Sequence, residues 1–156
     1  MKTKYALKAL TYLARAEEGR PVLIAEIAER EAIPRKFLEV ILRDLRDGGL
    51  LDSRKGRGGG YALRRSAAKI SVASVLKALD GSLAPVPCLS RTTYRRCDGC
   101  VEESTCAVRL VMADLYAATI GVLEAITLAD IMNRVDRASE IRMRLSTPLT
   151  PATPSR

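Results

Sequence analysis

Residues 34–63 read PRKFLEVILRDLRDGGLLDSRKGRGGGYAL, and this stretch decides the fold. Its first half repeats apolar side chains at spacings of three and four: Phe37, Leu38, Ile41, Leu42 and Leu45. That period belongs to a helix with one buried stripe. Pro34 suits a first helical turn, and Gly48 with Gly49 stops the helix. The second half changes period. Leu50 to Arg54 reads as a short strand, Tyr61 to Leu63 as its return, and Gly56 to Gly60 as the tip of a loose β-hairpin. Six cations and no acid lie between positions 54 and 69: Arg54, Lys55, Arg57, Arg64, Arg65 and Lys69.

Upstream, Ala6, Leu7, Leu10, Leu13 and Ala14 predict a helix over 4–16, closed by Gly19 and Pro21. Ile24, Ile27 and Ala28 predict a second over about 24–32. Downstream, Ser71 reads as the N-cap of a helix over 72–79. Helix, helix, turn, helix and basic hairpin is the order of a winged helix-turn-helix. The expected class is therefore mainly α with a small β-hairpin, with residues 1–80 as the winged unit.

Charge agrees with this order. Residues 1–80 hold 17 Lys+Arg against 10 Asp+Glu, and residues 81–156 hold 9 against 8. A one-sided basic surface is the footprint of a polyanion binder, although charge alone would also describe an ordinary solvated face. Arg35, Lys36, Glu39, Arg43 and Arg46 fall on the polar side of the third helix. Arg and Lys can contact phosphates or guanine edges, and Glu can accept from cytosine. In the hairpin, Gly58 and Gly59 let the backbone approach closely beside Arg54, Lys55 and Arg57. Double-stranded DNA is the expected partner. A phosphate-cradling P-loop is disfavoured, because Gly-Arg-Gly-Gly-Gly lacks the Gly-Lys-Ser/Thr ending.

The remainder changes character. Pro85, Pro87 and Gly99 disfavour regular structure over 81–106, and Cys88, Cys97, Cys100 and Cys106 all fall there. A long helix is expected from about Val101, with Val108, Val111, Met112, Leu115, Thr119, Val122, Leu123 and Ile126 in register. Thr127 and Asp130 read as a capping pair for a last helix. Domain boundaries are thus a sensor loop at 81–106, a dimerisation helix and C-terminal helix at 107–145, and a disordered tail at 146–156 rich in proline.

Four thiols within 19 residues and none elsewhere is not a core pattern. Three chemistries fit: an iron–sulfur cluster, structural zinc, or a thiol–disulfide pair at Cys97 and Cys100. Arg95, Arg96 and Arg109 are placed to lower thiol pKa values. The chain has no histidine, which excludes His bases and His ligands. With no paired carboxylates or nucleophile elbow, an enzyme is not expected. The C-x2-C pair is not set in a βαβ pattern, as a thioredoxin-like reductase requires. No 18-residue apolar run or signal-peptide core appears, so a cytoplasmic protein without a membrane span is expected.

Several segments resemble one family. Tyr5 to Ala14, Ile27 to Arg30, Phe37 to Leu45 and Gly48 to Leu63 are similar to the IscR/NsrR/RirA, or Rrf-two, family of bacterial winged-helix regulators. The likeness runs from about residue 4 to about residue 131. It implies a homodimer joined by the long helix after the cysteines. It also implies that Glu39 and Lys55 touch DNA. Many members have arginine where Lys55 stands, and lysine lacks the bidentate fork. Members carry three cysteines in this loop and bind 2Fe–2S or 4Fe–4S clusters, often with a fourth ligand from elsewhere. Here Lys4 stands where several relatives have aspartate, and Ala107, Val108 and Arg109 follow Cys106 without a histidine. Cys88, Cys97 and Cys106 match the family's three, and Cys100 is the addition. The resemblance implies a dimeric transcription regulator, with repression the expected sense, responding to iron, redox state or nitric oxide. A thiol–disulfide switch or structural zinc on the same fold is the alternative.

Overall fold

Ala6, Ala9, Leu10 and Leu13 are all buried on one side of helix α1 (Lys2–Arg15), as their spacing demands. The computed structural model describes residues 1–17 and 19–146, with the side chains of 143–146 left aside. Of the disordered tail expected over 146–156, Ser146 ends the last helix and the rest lies outside them. Helix α2 (Ile24–Glu31) buries Ile27 and ends where Ala32 takes a left-handed conformation. Helix α3 (Arg35–Asp47) follows Pro34, which sits just outside it as the cap. Leu38, Ile41, Leu42 and Leu45 are buried.

Phe37 does not join that stripe and is 63% exposed, which corrects the sequence reading. At about 100° per residue it lies about 90° from the centre of the buried four, at the edge of the stripe. Behind α3, Gly49 takes a positive φ of 73° and the Leu50 amide donates to the Leu45 carbonyl at 3.0 Å, turning the chain into the hairpin.

Strands β1 (Leu51–Arg54) and β2 (Gly60–Leu63) pair antiparallel, from Leu51 opposite Leu63 to Arg54 opposite Gly60. Val22 bridges to Tyr61 on the free side of β2, with both backbone bonds at 2.9 Å. This bond pair clamps the wing to the loop between α1 and α2. Gly60 has φ +142°, and a side chain there would run into the Val22 carbonyl. Only glycine permits that approach.

Ser71 caps helix α4 (Val72–Asp80), accepting from the Ser74 amide at 3.2 Å, as expected. Leu10, Ile27, Leu38, Leu42, Leu45, Leu50, Leu51, Ile70 and Val75 form one core, joined by Leu128 from the far end of the chain.

Helix α5 (Ala107–Ala125) begins six residues later than expected from Val101. The Glu102 carboxylate accepts from the Ser104 amide and hydroxyl at 3.1 and 2.9 Å. Such local side-chain bonds compete with helix formation. No residue of α5 is buried. Met112, Leu123 and Ile126 are partly covered, while Val108, Val111, Leu115, Thr119 and Val122 are exposed along one line. The sequence stripe is thus two stripes, one inward and one outward.

Helix α6 (Leu128–Ser146) opens with the expected capping pair: Thr127 Oγ1 accepts from the Asp130 amide at 3.2 Å, and Asp130 Oδ2 accepts from the Thr127 amide at 2.9 Å. The Thr127 hydroxyl also donates to Asp130 Oδ2 at 2.6 Å, and this bond, with that from the Thr127 amide, holds the Asp130 carboxyl below its ordinary pKa. The α5–α6 corner is pinned to the winged unit. The Val72 amide donates to Ile126 at 2.8 Å and the Leu128 amide to Ile70 at 2.9 Å, while Arg15 pairs with Asp136 at 2.7 Å. No helix among the described residues is long and apolar enough to cross a membrane.

Candidate nucleic-acid interface and cysteine cavity

Helix α3 and the hairpin tip carry the expected DNA-binding residues. Arg35, Lys36, Glu39 and Arg43 are all exposed on α3. Arg35 Nε donates to Glu39 Oε1 at 3.1 Å, so the carboxylate expected to face cytosine has an intrahelical partner. Arg46 pairs with Asp47 at 2.7 Å. Arg54, Lys55 and Arg57 are exposed at the tip, at and beyond the last rung of the ladder. Gly58 is exposed, with φ +79°, and has open space around it. Gly59 is buried; its amide closes the tip onto the Gly56 carbonyl at 2.9 Å. Gly59 therefore shapes the turn rather than offering a surface.

The exposed side of α3 also holds a feature that the sequence reading missed. Val40 is 43% exposed and lies about 150° from the centre of the buried stripe, between Lys36 and Arg43. The signal was in the sequence, as an apolar residue on the polar arc.

The four cysteines line one open cavity of about 470 Å³ beside the start of α5, together with Glu103 and Arg109. Cys88 is buried in a short 3-10 turn (Pro87–Leu89), Cys97 is exposed, and Cys100 and Cys106 are half-buried. Cys106 is the N-cap residue of α5. The Cys100 amide donates to the Cys97 carbonyl at 3.2 Å, across a turn in which Gly99 has φ +74°.

A chain of polar contacts spans the cavity rim. Tyr94 donates to Glu103 at 2.5 Å, Glu103 lies 3.8 Å from Arg109, and Arg109 donates to the Cys88 carbonyl. Sequence reading missed this chain, because its members are separated by loop residues without a period.

The thiol electrostatics differ from expectation at Cys97. A hydrogen bond with Cys88, then partial burial and the neighbouring Cys88 and Cys100 thiols, push the Cys97 thiol up. Arg96 is turned to the Cys100 and Val101 carbonyls, at 3.0 and 2.8 Å. It is Arg109 that stands against Cys88, and Cys88 holds the guanidinium more firmly in its charged form.

Four thiols without histidine fit an iron–sulfur cluster in donor type and number, and Arg109 supplies positive charge beside them. Among the described residues, no three Cys, Asp or Glu side chains stand together in metal-ligating geometry. Ligation thus requires the thiols to draw closer together than this conformation holds them.

A family model described as Rrf2, iron-dependent transcriptional regulator, matches residues 1–134. An Rrf2-like HTH-type transcriptional regulator of Rhodobacter capsulatus is 39% identical over 143 residues, covering 90% of this chain and 95% of that protein. Among solved structures, T. potens IscR superposes with a TM-score of 0.67 at 27% identity, covering 96% of this chain and 91% of that one. CymR, described as the global cysteine regulator of B. subtilis, superposes equally well, at 0.67 and 26% identity, covering 86% and 95%. These relatives are transcription regulators rather than enzymes. A helix-turn-helix with a clamped basic wing, a cysteine loop and a matching family model together make this chain a member of the Rrf2 family of DNA-binding transcription regulators.

Proposed function

We propose that this chain is a homodimeric repressor whose grip on an operator is set by an iron–sulfur cluster held by Cys88, Cys97 and Cys106, with Cys100 as the fourth ligand. The observation that carries the reading is that all four thiols line one cavity at the first turn of α5. Such a cluster would supply a link that is lost or altered by oxidants, iron shortage or nitric oxide. The chain's own residues transmit the change. Cys88 is tied to α5 through Arg109, and Cys106 starts that helix. The outward stripe of Val108, Val111, Leu115 and Val122 supports a second copy as the partner of α5, since such a row of aliphatic side chains gains from cover. On the DNA side, Lys36, Arg43, Arg54, Lys55 and Arg57 offer exposed charge, with Arg35 and Glu39 alongside.

Purification without oxygen, an absorbance spectrum and iron and sulfide counts test this reading. Visible absorbance with matching iron and sulfide is expected, and Cys100→Ala should lower cluster retention. A colourless, iron-free protein after anaerobic reconstitution would overturn it.

One observation favours a second reading, a thiol–disulfide switch: the Cys88 and Cys97 thiols line the same cavity, and Cys88 pushes the Cys97 thiol up. Their two thiols would lose two protons and two electrons to peroxide, forming one disulfide and two waters. Peroxide-dependent loss of operator binding in the iron-free protein, absent in Cys97→Ser, would identify it.

A further inference from the structure

Phe37 and Val40 are misplaced by the ordinary logic of a core. Phe37 is the single phenylalanine of the chain, yet it is 63% exposed, and Val40 is 43% exposed. Both lie on α3 outside its buried stripe. Val40 follows Lys36 by four positions and precedes Arg43 by three, and Phe37 precedes Val40 by three. Residues so spaced are surface neighbours, about 5–6 Å apart at Cβ. The result is an apolar pair flanked by two exposed cations.

The rise from Lys36 to Arg43 is about 10 Å, close to the ~12 Å width of the major groove. Flanking cations suit phosphates at the groove edges. The only apolar group that a B-DNA major groove presents is the thymine C5-methyl. Arg35 and Glu39, paired with each other at 3.1 Å, lie about 100–160° around the helix from the apolar pair.

We infer that Val40 and Phe37 read thymine methyl groups, making them specificity-determining residues of this regulator. The inference rests on α3 being the DNA-reading helix. Operators bound by this chain should carry thymine at the base pairs under Val40 and Phe37. Discrimination there comes from methyl contact rather than hydrogen bonding.

The test uses full-length protein and a duplex selected from a random-sequence library. Each thymine of the half-site is replaced in turn by deoxyuridine, which removes only the methyl. At one or two positions, affinity should fall about fourfold per methyl, the worth of burying one such group. Val40→Ala or Phe37→Ala should weaken binding to the thymine duplex and add little further loss on the matching deoxyuridine duplex. Insensitivity to every deoxyuridine replacement overturns the inference, as does equal loss on both duplexes. A change of oligomeric state in either variant also overturns it, since the pair would then face another copy of the chain. Failure to select any duplex would instead refute α3 as the reader, so the two failures are distinguishable.

Discussion

Leu115→Ala probes the proposed dimer contact with a built-in control. Leu115 and Leu110 are each 55% exposed on α5. Leu115 belongs to the outward stripe, four residues after Val111 and seven before Val122. Leu110 lies well off that line, about 140° around the helix from Leu115. Truncation to alanine removes three carbon groups, each worth ~0.8 kcal/mol when fully buried. With 55% of Leu115 still open, roughly 1.3 kcal/mol per chain remains to be gained under a partner. The residue occurs in both protomers, so a dimer should lose about 2.6 kcal/mol, roughly 80-fold in dissociation constant. Sedimentation equilibrium over a dilution series measures this directly. Leu110→Ala should change the constant little, and both variants should keep the helical signal of the parent. Equal weakening by the two substitutions, or none by either, would refute the assignment of the outward stripe as the contact.

Three further outcomes are expected. Gly60→Ala must bring a side chain against the Val22 carbonyl at φ +142°, and should destabilise the fold by about 2 kcal/mol or more, a fall in Tm of roughly 4–8 °C by calorimetry. Lys55→Ala should flatten the logarithmic salt dependence of operator binding by about one unit, as for the loss of one phosphate contact. Asp130, whose folded pKa is depressed by its bonds to Thr127, contributes stability that is present above the unfolded carboxyl value of about 3.9 and is lost as pH falls through the folded value. The stability gap between the parent and Asp130→Asn should accordingly shrink between pH 5 and pH 2 in urea titrations.

The winged unit was legible in the sequence because its determinants are local. Helical period, Pro34 before α3, Ser71 at its cap, and the Thr127–Asp130 pair each act within four residues of themselves. The misreadings fall where a neighbour in space decides. Phe37 sits at the rim of its stripe, and only the packing of α1 and α4 against α3 determines which side of that rim is covered. Val101 carries helical period, but the Glu102 carboxylate satisfies Ser104 locally and delays α5 to Ala107. The two-stripe character of α5 was hidden because one period of apolar residues served both an inward and an outward side. Cysteine spacing announced a site without its geometry. The contacts of Arg109 with Cys88, and of Cys97 with Cys88, cross 21 and nine residues of irregular chain.

Under the proposed function, the placement of α5 gives a route by which a change at the cysteines would reach DNA. Its C-terminal end is fixed by the Ser71–Thr127 bridge, by Lys77 and Glu124 at 3.1 Å, and by Leu128 in the core. Its N-terminal end follows Cys106, and among the described residues the loop over 81–106 holds only a short 3-10 turn. Nineteen residues make a rod of about 28 Å. Each ångström that Cys106 moves would therefore tilt the rod by about 2° around its fixed end. If the outward stripe holds a second copy, the tilts of both protomers add at the interface. Two reading helices must meet half-sites about 34 Å apart, so a change in their relative orientation would alter how well both fit. A cluster would pull this lever through Cys106 itself, whereas a disulfide joining Cys88 to Cys97 would reach α5 through the Arg109 contact with the Cys88 carbonyl. What distinguishes the two is the chemistry at Cys100 and Cys106, which a cluster engages and a Cys88–Cys97 disulfide leaves free. Operator binding by a Cys100→Ala, Cys106→Ala double variant should lose its response under the first and keep it under the second.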